Sequence, residues 1–298
     1  MSNPVVACLP GLASLADRYD GFLLDLWGVI HDGERPYPGA VETLATLKAR
    51  GQPCVLVSNA PRLGRAVGRT MAAMGIGSDL YRGIVTSGDA VNADLREAGD
   101  PAIRALGACA LFIGPERDFD ILEGTKVERT DDPARASFVL NTGPVDLDET
   151  EDAYRGLLER CAARGLPMLC ANPDRAVIRG GRVVMCAGAL ADVYAGLGQS
   201  VIYRGKPDPA LFVRARAALG LPAGARVAVV GDGLATDLPG AAAAGLDALF
   251  VTGGLNARAL GVRHGEAADP ARVRDLLARH GVAPVAAIPA FVWGEGGA

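Results

Sequence analysis

Residues 22–29, Phe-Leu-Leu-Asp-Leu-Trp-Gly-Val, form an apolar run broken by a single carboxylate, Asp25. A stretch that is apolar on both faces suits a strand buried in the middle of a parallel sheet. A charge is costly there unless it sits at the strand's end, where loops and ligands meet it. Gly28, three residues on, lets the backbone turn tightly and approach a bound group. The pattern therefore puts Asp25 at the carboxyl edge of a central strand.

The same alternation continues on either side. A short helix is expected around Leu12–Asp17, and His31-Asp32-Gly33 make a polar turn after the Asp25 strand. Pro38-Gly39 open a helix with Val41, Leu44 and Leu47 on one face, closed by Gly51. Pro53–Val57 predicts a strand ending in Ser58-Asn59, then comes a helix over Leu63–Met74 and a strand at Gly83–Thr86. This β-α-β-α-β order is the mark of a doubly wound parallel sheet.

The middle of the chain carries its own strands, expected at Ala110–Gly114, Ser137–Asn141, Pro167–Ala171 and Val183–Cys186. A helix between them is marked by Asp148 as N-cap with Glu151 three residues on, and by Leu157, Leu158 and Cys161 facing inward. From Ala187 the first pattern is expected to resume. It predicts a helix to Gly198, a strand Val201–Tyr203, a helix Pro209–Leu219, a strand Arg226–Val230, a helix Leu238–Ala244 and a strand Ala248–Val251. The Pro-spaced tail from Val282 to Trp293 is expected to pack along a sheet edge. The fold class is thus α/β, a doubly wound, Rossmann-like parallel-sheet core (residues 1–92 and 187–298) with an inserted α/β domain (residues 93–186).

Composition narrows the function classes. Half of the 298 residues are hydrophobic and mean hydropathy is +0.21, which fits a globular chain with an ample core. Net charge is −4 and no basic cluster is long enough for a nucleic-acid surface. The six cysteines form no C-x-x-C pair, and most lie in apolar runs where a thiol acts as a small hydrophobe, so a reduced, cytoplasmic setting is expected. No apolar run approaches the ~18 residues of a membrane span, and no export signal is seen at the N-terminus. The three histidines, His31, His264 and His280, are expected at the surface.

Three strands of the outer pattern end in an oxygen-bearing side chain, Asp25, Ser58 and Asp232, and Lys206 follows a fourth, short strand. In a doubly wound sheet the carboxyl ends of the strands share one crevice, so these four can converge. Two carboxylates, an ammonium and a hydroxyl describe a phosphoryl-transfer site. One carboxylate can attack phosphorus, and the pair can hold Mg²⁺, which prefers oxygen ligands. Lys206 and Ser58, with the backbone N–H groups of Gly28 and Asn59, can hold phosphoryl oxygens.

These motifs resemble the haloacid dehalogenase (HAD) superfamily. Asp25-Leu26-Trp27-Gly28-Val29 is similar to its first motif, and Val55-Leu56-Val57-Ser58-Asn59 to its second. Gly205-Lys206-Pro207 is similar to the third, and Gly231-Asp232-Gly233-Leu234-Ala235-Thr236-Asp237 to the fourth. The insertion between the second and third motifs, with Ala171-Asn172-Pro173-Asp174 inside it, resembles the class IIA, NagD-like branch and its C2-type cap. The resemblance covers nearly the whole chain. It implies a Mg²⁺-dependent phosphatase working through an aspartyl-phosphate on Asp25, with a small phosphorylated metabolite as substrate. Asp25, Asp232 and the main-chain carbonyl of Trp27 would hold the metal, and Asp237 would support its shell. Ser58 and Lys206 would bind the phosphoryl group, Lys206 also pairing with the carboxylates. Arg62, Asn172 and Asp174 are candidate substrate contacts, and a cap-mediated homodimer suits the branch.

One position departs from the family. Its phosphatases carry a second Asp two residues after the nucleophile as general acid/base, where this chain has Trp27. An indole neither gives nor takes a proton near neutral pH, and losing such a group typically costs about 10²–10⁴-fold. Two readings follow. One is a phosphohydrolase that is slow or atypical, with His31 or Asp32 as nearby substitutes for the missing acid. The other is a chain that binds metal and a phosphorylated ligand in a non-enzymatic or regulatory role.

Overall fold

The computed structural model describes residues 6–294. Its first strands are β1 (Ala7–Cys8), β2 (Gly21–Asp25), β3 (Cys54–Ser58) and β4 (Gly83–Thr86). The middle of the chain supplies β5 (Cys109–Ile113), β6 (Glu128–Thr130), β7 (Phe138–Asn141), β8 (Met168–Cys170), β9 (Ala176–Arg179) and β10 (Arg182–Met185). The last strands are β11 (Val201–Tyr203), β12 (Val227–Gly231), β13 (Asp247–Val251) and β14 (Ala286–Ile288).

One seven-stranded sheet runs in the order β1-β14-β13-β12-β2-β3-β4, parallel throughout. β2 lies near its centre, between β12 and β3. Its alternate residues enter two separate cores: Phe22 and Leu24 pack with Leu56 and Val230 on one face, and Leu23 packs with Val55, Val57 and Val229 on the other. Burial on both faces is why the run reads as continuously apolar. It also leaves the strand's end as the one place for Asp25.

The second sheet, β11-β8-β7-β5-β6, is parallel as well. The helix Glu151–Ala163 covers one face through Tyr154, Leu158 and Cys161. The helix Ser87–Glu97 links the two layers: Ala90 packs into a core of the first sheet and Val91 into a core of the second.

Several expectations are corrected. The return to the first pattern at Ala187 comes later in the chain. Leu190, Ala191 and Tyr194 of the helix Ala187–Gly196 pack against Leu158 and Met168 of the second sheet, and Val201–Tyr203 pairs with β8 as that sheet's edge. The chain rejoins the first sheet only beyond Gly205. Val183–Cys186 was expected in the middle sheet; instead Arg182–Met185 pairs antiparallel with Ala176–Arg179 in a separate hairpin. The turn is Gly180-Gly181, where positive φ at both residues allows a tight reversal. Asp148 does not cap its helix: it pairs with Arg182. The turn is closed instead by Glu149, which accepts from the N–H groups of Val145 and Asp146, and the helix starts after Thr150. The tail does approach the sheet's edge, but as a strand, β14, inserted between β13 and β1. No helix among the described residues is long and apolar enough to cross a membrane.

Candidate active site

Asp25 ends β2, Ser58 ends β3, and Asp232 follows β12, the three strands lying side by side. Parallel pairing puts their carboxyl ends at one edge, and Lys206 reaches the same point from the loop after β11. Its Nζ lies 2.6 Å from Asp25 Oδ1 and 2.8 Å from Asp237 Oδ1, with all three side chains buried. Asp25, Asp232 and Asp237 each offer a carboxylate oxygen within 4.8 Å of one another. Burial drives the Asp25 carboxyl well above its ordinary range, with the Asp237 and Asp232 charges adding to it and Lys206 opposing. Burial and Asp237 also push Asp232 up, to about 7. Burial alone would lower Lys206, yet the surrounding carboxylates hold it well above the usual ammonium range.

One buried ammonium cannot neutralise three buried carboxylates, so the cluster is short of positive charge. The donors are all hard oxygens, the set preferred by Mg²⁺. On charge and on donor chemistry the residues fit the divalent ion that the sequence implied.

The neighbours are set by close packing and by backbone donors. Gly28 has φ +79°, and a Cβ there would stand 2.0 Å from Asp232 Oδ2, so only glycine lets the first motif lie this close to the fourth. Asp232 Oδ2 accepts from the Leu255 N–H, while Asp237 Oδ2 accepts from the Gly233 N–H and faces Lys206 with its other oxygen. Asp237 thus opens its helix and also holds the lysine in place.

The structure brings the predicted residues together unevenly. Asp25, Trp27, Ser58, Arg62, Asn172, Asp174, Lys206 and Asp232 all line one cavity of about 420 Å³ between the two sheets. Ser58 Oγ is buried and accepts from the Ala60 N–H. The Asn59 amide joins three segments: it donates to Asp174 Oδ1 and to the Lys206 carbonyl and accepts from the Lys206 N–H. Asn172 accepts from the Asp174 N–H, forming the expected Asn-Pro-Asp turn at the cavity wall. One expectation is not supported: the Gly28 N–H, assigned to phosphoryl oxygens, already donates to the His31 carbonyl.

Around Trp27 the arrangement is apolar and tight. Its indole is half-buried and lies edge-on to His31, with ring centroids 5.2 Å apart. It also covers Gly33, where a Cβ would meet the ring at 2.2 Å. His31 is not a surface residue. It is buried, its Nδ1 accepts from the Gly33 N–H at 2.9 Å, and burial lowers its pKa to about 4. His264 is half-buried as well, stacked on Tyr37. Asp32 uses Oδ1 to accept from the Glu34 and Arg35 N–H groups. Neither proposed substitute is therefore a free acid.

Asp118, Arg117, Thr142 and Tyr37 also line the cavity and were not foreseen. Thr142 directly follows the carboxyl end of β7, so the strand-end rule used for the first sheet, applied to the second, points to it; Asp118 lies beyond β5 on the 3₁₀ segment Glu116–Leu122, where no such signal marks it.

Comparison with known proteins decides the family. Residues 22–128 match the profile of haloacid dehalogenase-like hydrolases, and residues 203–279 match a second HAD-hydrolase-like profile. A haloacid dehalogenase-like hydrolase from Brucella suis 1330 has a crystal structure that superposes with a TM-score of 0.79 at 38% identity, covering 95% of this chain and 99% of that one. The chain belongs to the haloacid dehalogenase-like hydrolase family. Within this HAD family, D-glycerol 3-phosphate phosphatase of Mycobacterium tuberculosis is 32% identical over 82% of this chain; the match spans 66% of that protein. The crystal structure of a glycerol phosphate phosphatase of M. tuberculosis in complex with magnesium superposes with a TM-score of 0.62 at 25% identity, covering 82% of this chain and 70% of that one. Both of these relatives are named as phosphatases.

Proposed function

We propose that this HAD hydrolase is a Mg²⁺-dependent phosphatase of a small phosphorylated metabolite, working through an aspartyl-phosphate at Asp25. The observation that carries this reading is the buried cluster in which Lys206 Nζ bridges Asp25 and Asp237 beside Asp232. Asp25, Asp232 and the Trp27 carbonyl would hold the ion, with Asp237 behind them. The bound ion would supply positive charge to the phosphoryl oxygens as negative charge builds on them.

The rest of the work belongs to the chain. Lys206 counters the upward pull of burial on the Asp25 carboxyl and aims its oxygen, which bonds to phosphorus as the ester P–O bond breaks. Ser58 and Lys206 hold the phosphoryl oxygens. Water then cleaves the acyl phosphate, which releases inorganic phosphate and restores the carboxylate. The segment inserted after the second motif, with Asn172 and Asp174, acts as a cap over the cavity and limits its size. A 420 Å³ space falls in the range of small-ligand sites.

The step least well served is protonation of the leaving group. Trp27 has no acid to offer, and His31 and Asp32 are both engaged. Turnover of alkyl phosphates is therefore slow, while an aryl phosphate, whose phenolate leaves unaided, escapes the handicap. The same observation favours the second reading, a chain that binds its ligand and turns it over negligibly. The test is phosphate release from p-nitrophenyl phosphate with Mg²⁺ and with EDTA, for wild type and Asp25→Asn. Mg²⁺-dependent release that disappears in Asp25→Asn supports the phosphatase. No release by wild type that nonetheless binds Mg²⁺ leaves the ligand-binding protein.

A further inference from the structure

The loop that carries Trp27 ends at a residue the reaction has not yet used. Tyr37 donates its N–H to the Ile30 carbonyl, next to the bridge that pairs His31 with Pro36. It lines the same cavity as Asp25, Trp27 and Asp232. Its ring lies flat against His264, with centroids 3.7 Å apart and planes 10° from parallel. His264 is itself fixed: Nδ1 lies 3.0 Å from the Gly253 carbonyl. A carbonyl can only accept, so Nδ1 carries the ring proton, and burial keeps the imidazole neutral. Two residues on, the Leu255 N–H holds Asp232. The tyrosine ring is thus positioned by the same loop that positions the acidic cluster.

The hydroxyl at the end of that ring is uncommitted. Among the described residues no side chain or backbone group bonds it, and it is not one of the sealed, unpartnered atoms, so it meets accessible space. Burial, then the charges of Asp232 and Asp32, raise it to about 12. It therefore keeps its proton across the neutral range, where His31 has none to give, and its oxygen is free, where that of Asp32 is engaged. Its acid strength is adequate for one task. An alkoxide is about as basic as hydroxide, whose conjugate acid, water, has a pKa of about 15.7. A proton passes downhill from the phenol to such an oxygen. The phenol is nonetheless a far weaker acid than a carboxyl, in keeping with slow turnover of alkyl esters.

We infer that Tyr37 is the general acid of this chain, its Oη hydrogen-bonding the leaving-group oxygen and giving up its proton as the ester P–O bond breaks. The inference rests on the phosphatase reading. As Asp25 bonds to phosphorus, the electron pair of the breaking bond passes to the leaving oxygen. That oxygen takes the Tyr37 proton and departs as an alcohol, leaving a phenolate. The water that then attacks the aspartyl-phosphate returns a proton to the phenolate, so inorganic phosphate, the Asp25 carboxylate and the neutral phenol are all restored.

Two esters test it, n-propyl phosphate and p-nitrophenyl phosphate, assayed with Mg²⁺ for wild type and Tyr37→Phe. Phenylalanine keeps the stack on His264 and deletes only the hydroxyl. The propyl group has no hydroxyl, so no contact to the alcohol's substituents enters. The quantity read is kcat/KM, which covers the steps up to departure of the leaving group. It is expected to fall about 10²-fold for the propyl ester and far less for the aryl ester, whose phenolate leaves without a proton. In Trp27→Asp, where a carboxyl supplies the proton, adding Tyr37→Phe is expected to cost the propyl ester less than about threefold, because the two acids do the same work. A hydroxyl that only holds the phosphoryl group, or a ring that only walls the cavity, would slow both esters together. Equal losses, no loss, a loss in Trp27→Asp as large as in wild type, or no propyl ester turnover by a wild type that releases p-nitrophenol overturns the assignment and leaves the phosphatase reading standing. The aryl ester also reports the amount of folded enzyme, so a destabilised Tyr37→Phe protein does not obscure the ratio. Release from neither ester by wild type would sink the phosphatase reading, and the assignment with it.

Discussion

Lys206 and Asp25 lie 181 residues apart in the chain, yet Lys206 Nζ sits 2.6 Å from Asp25 Oδ1 with both side chains buried. The contact joins β2, next to the middle strand of the first sheet, to the loop by which the chain returns from the second. Since Lys206 also bonds Asp237, its ammonium is, among the described residues, the one positive side chain bonded within a cluster of three buried carboxylates.

Removing that charge should therefore damage both fold and site. Deleting one partner of a buried ion pair costs about 3–5 kcal/mol, because the other charge stays buried and uncompensated. Lys206→Met is expected to lower the melting temperature by several degrees without Mg²⁺ and to abolish phosphate release. Added Mg²⁺ should restore part of the stability and none of the activity. Thermal melts with and without Mg²⁺ check this, and a variant that melts like wild type in EDTA would show that the pair is not under electrostatic load.

Metal binding should be linked to pH in a definite direction. The Asp232 carboxyl is raised from 3.8 to about 7 by burial and by Asp237. Between those values the metal-free folded chain holds a proton that the unfolded chain has released. Its stability consequently falls as pH rises through this window. A divalent ion relieves the penalty only where the carboxyl would otherwise be charged. The rise in melting temperature on adding Mg²⁺ is thus expected to grow from about pH 5 to about pH 7.5, and to be lost in Asp232→Asn. A rise that is flat or shrinking over that range would contradict the assignment.

The parts of the site that were legible in the sequence are those governed by one rule, that side chains at the carboxyl ends of buried parallel strands share a crevice. Asp25, Ser58 and Asp232 follow from it, because an isolated polar residue closing an apolar run is visible without coordinates. His31 was not legible: a histidine in a polar Asp-Gly turn reads as exposed, and its burial depends on Trp27, Gly33 and the hairpin Ala176–Met185 folding over the loop. The strand Val201–Tyr203 was assigned to the wrong sheet for a similar reason. Three apolar residues form an edge strand equally well in either layer, and only pairing with β8 decides. Asp118 lay on a 3₁₀ segment too short for a periodic signal.

The buried state of His31 gives a second, opposite pH signature. Its pKa is lowered from 6.5 to about 4 by burial, with the Asp32 charge opposing. Its Nδ1 accepts from the Gly33 N–H, so a proton placed on that nitrogen would break the bond. Between about pH 4 and 6.5 the unfolded chain takes up a proton that the folded chain refuses, and stability is lost as pH falls through that window. The shift is worth roughly 3 kcal/mol at most. With saturating Mg²⁺ present to suppress the Asp232 contribution, urea melts at a series of pH values should show this acid limb in wild type. The limb should flatten in His31→Asn, whose amide oxygen can accept in place of Nδ1.

Trp27 stands two residues after Asp25, where the sequence resemblance leads one to expect an acid, and substituting it separates two roles. If the missing general acid limits turnover, wild type should hydrolyse p-nitrophenyl phosphate far better than an alkyl phosphate such as glycerol 3-phosphate, because only the alkoxide needs a proton to leave. Trp27→Asp puts a carboxyl beside Asp25 and Asp232, whose charges would keep it protonated to higher pH and so suit it as an acid. Turnover of the alkyl ester is expected to rise by about 10²-fold, with a much smaller change for the aryl ester. The substitution also removes the indole that covers Gly33 and meets His31, and a modest fall in melting temperature should accompany the gain. The informative quantity is therefore the alkyl-to-aryl ratio of kcat/KM, which a general loss of folded protein cannot move. If both esters slow together in Trp27→Asp, the indole is there to exclude water and shape the cavity, and the limiting step lies elsewhere.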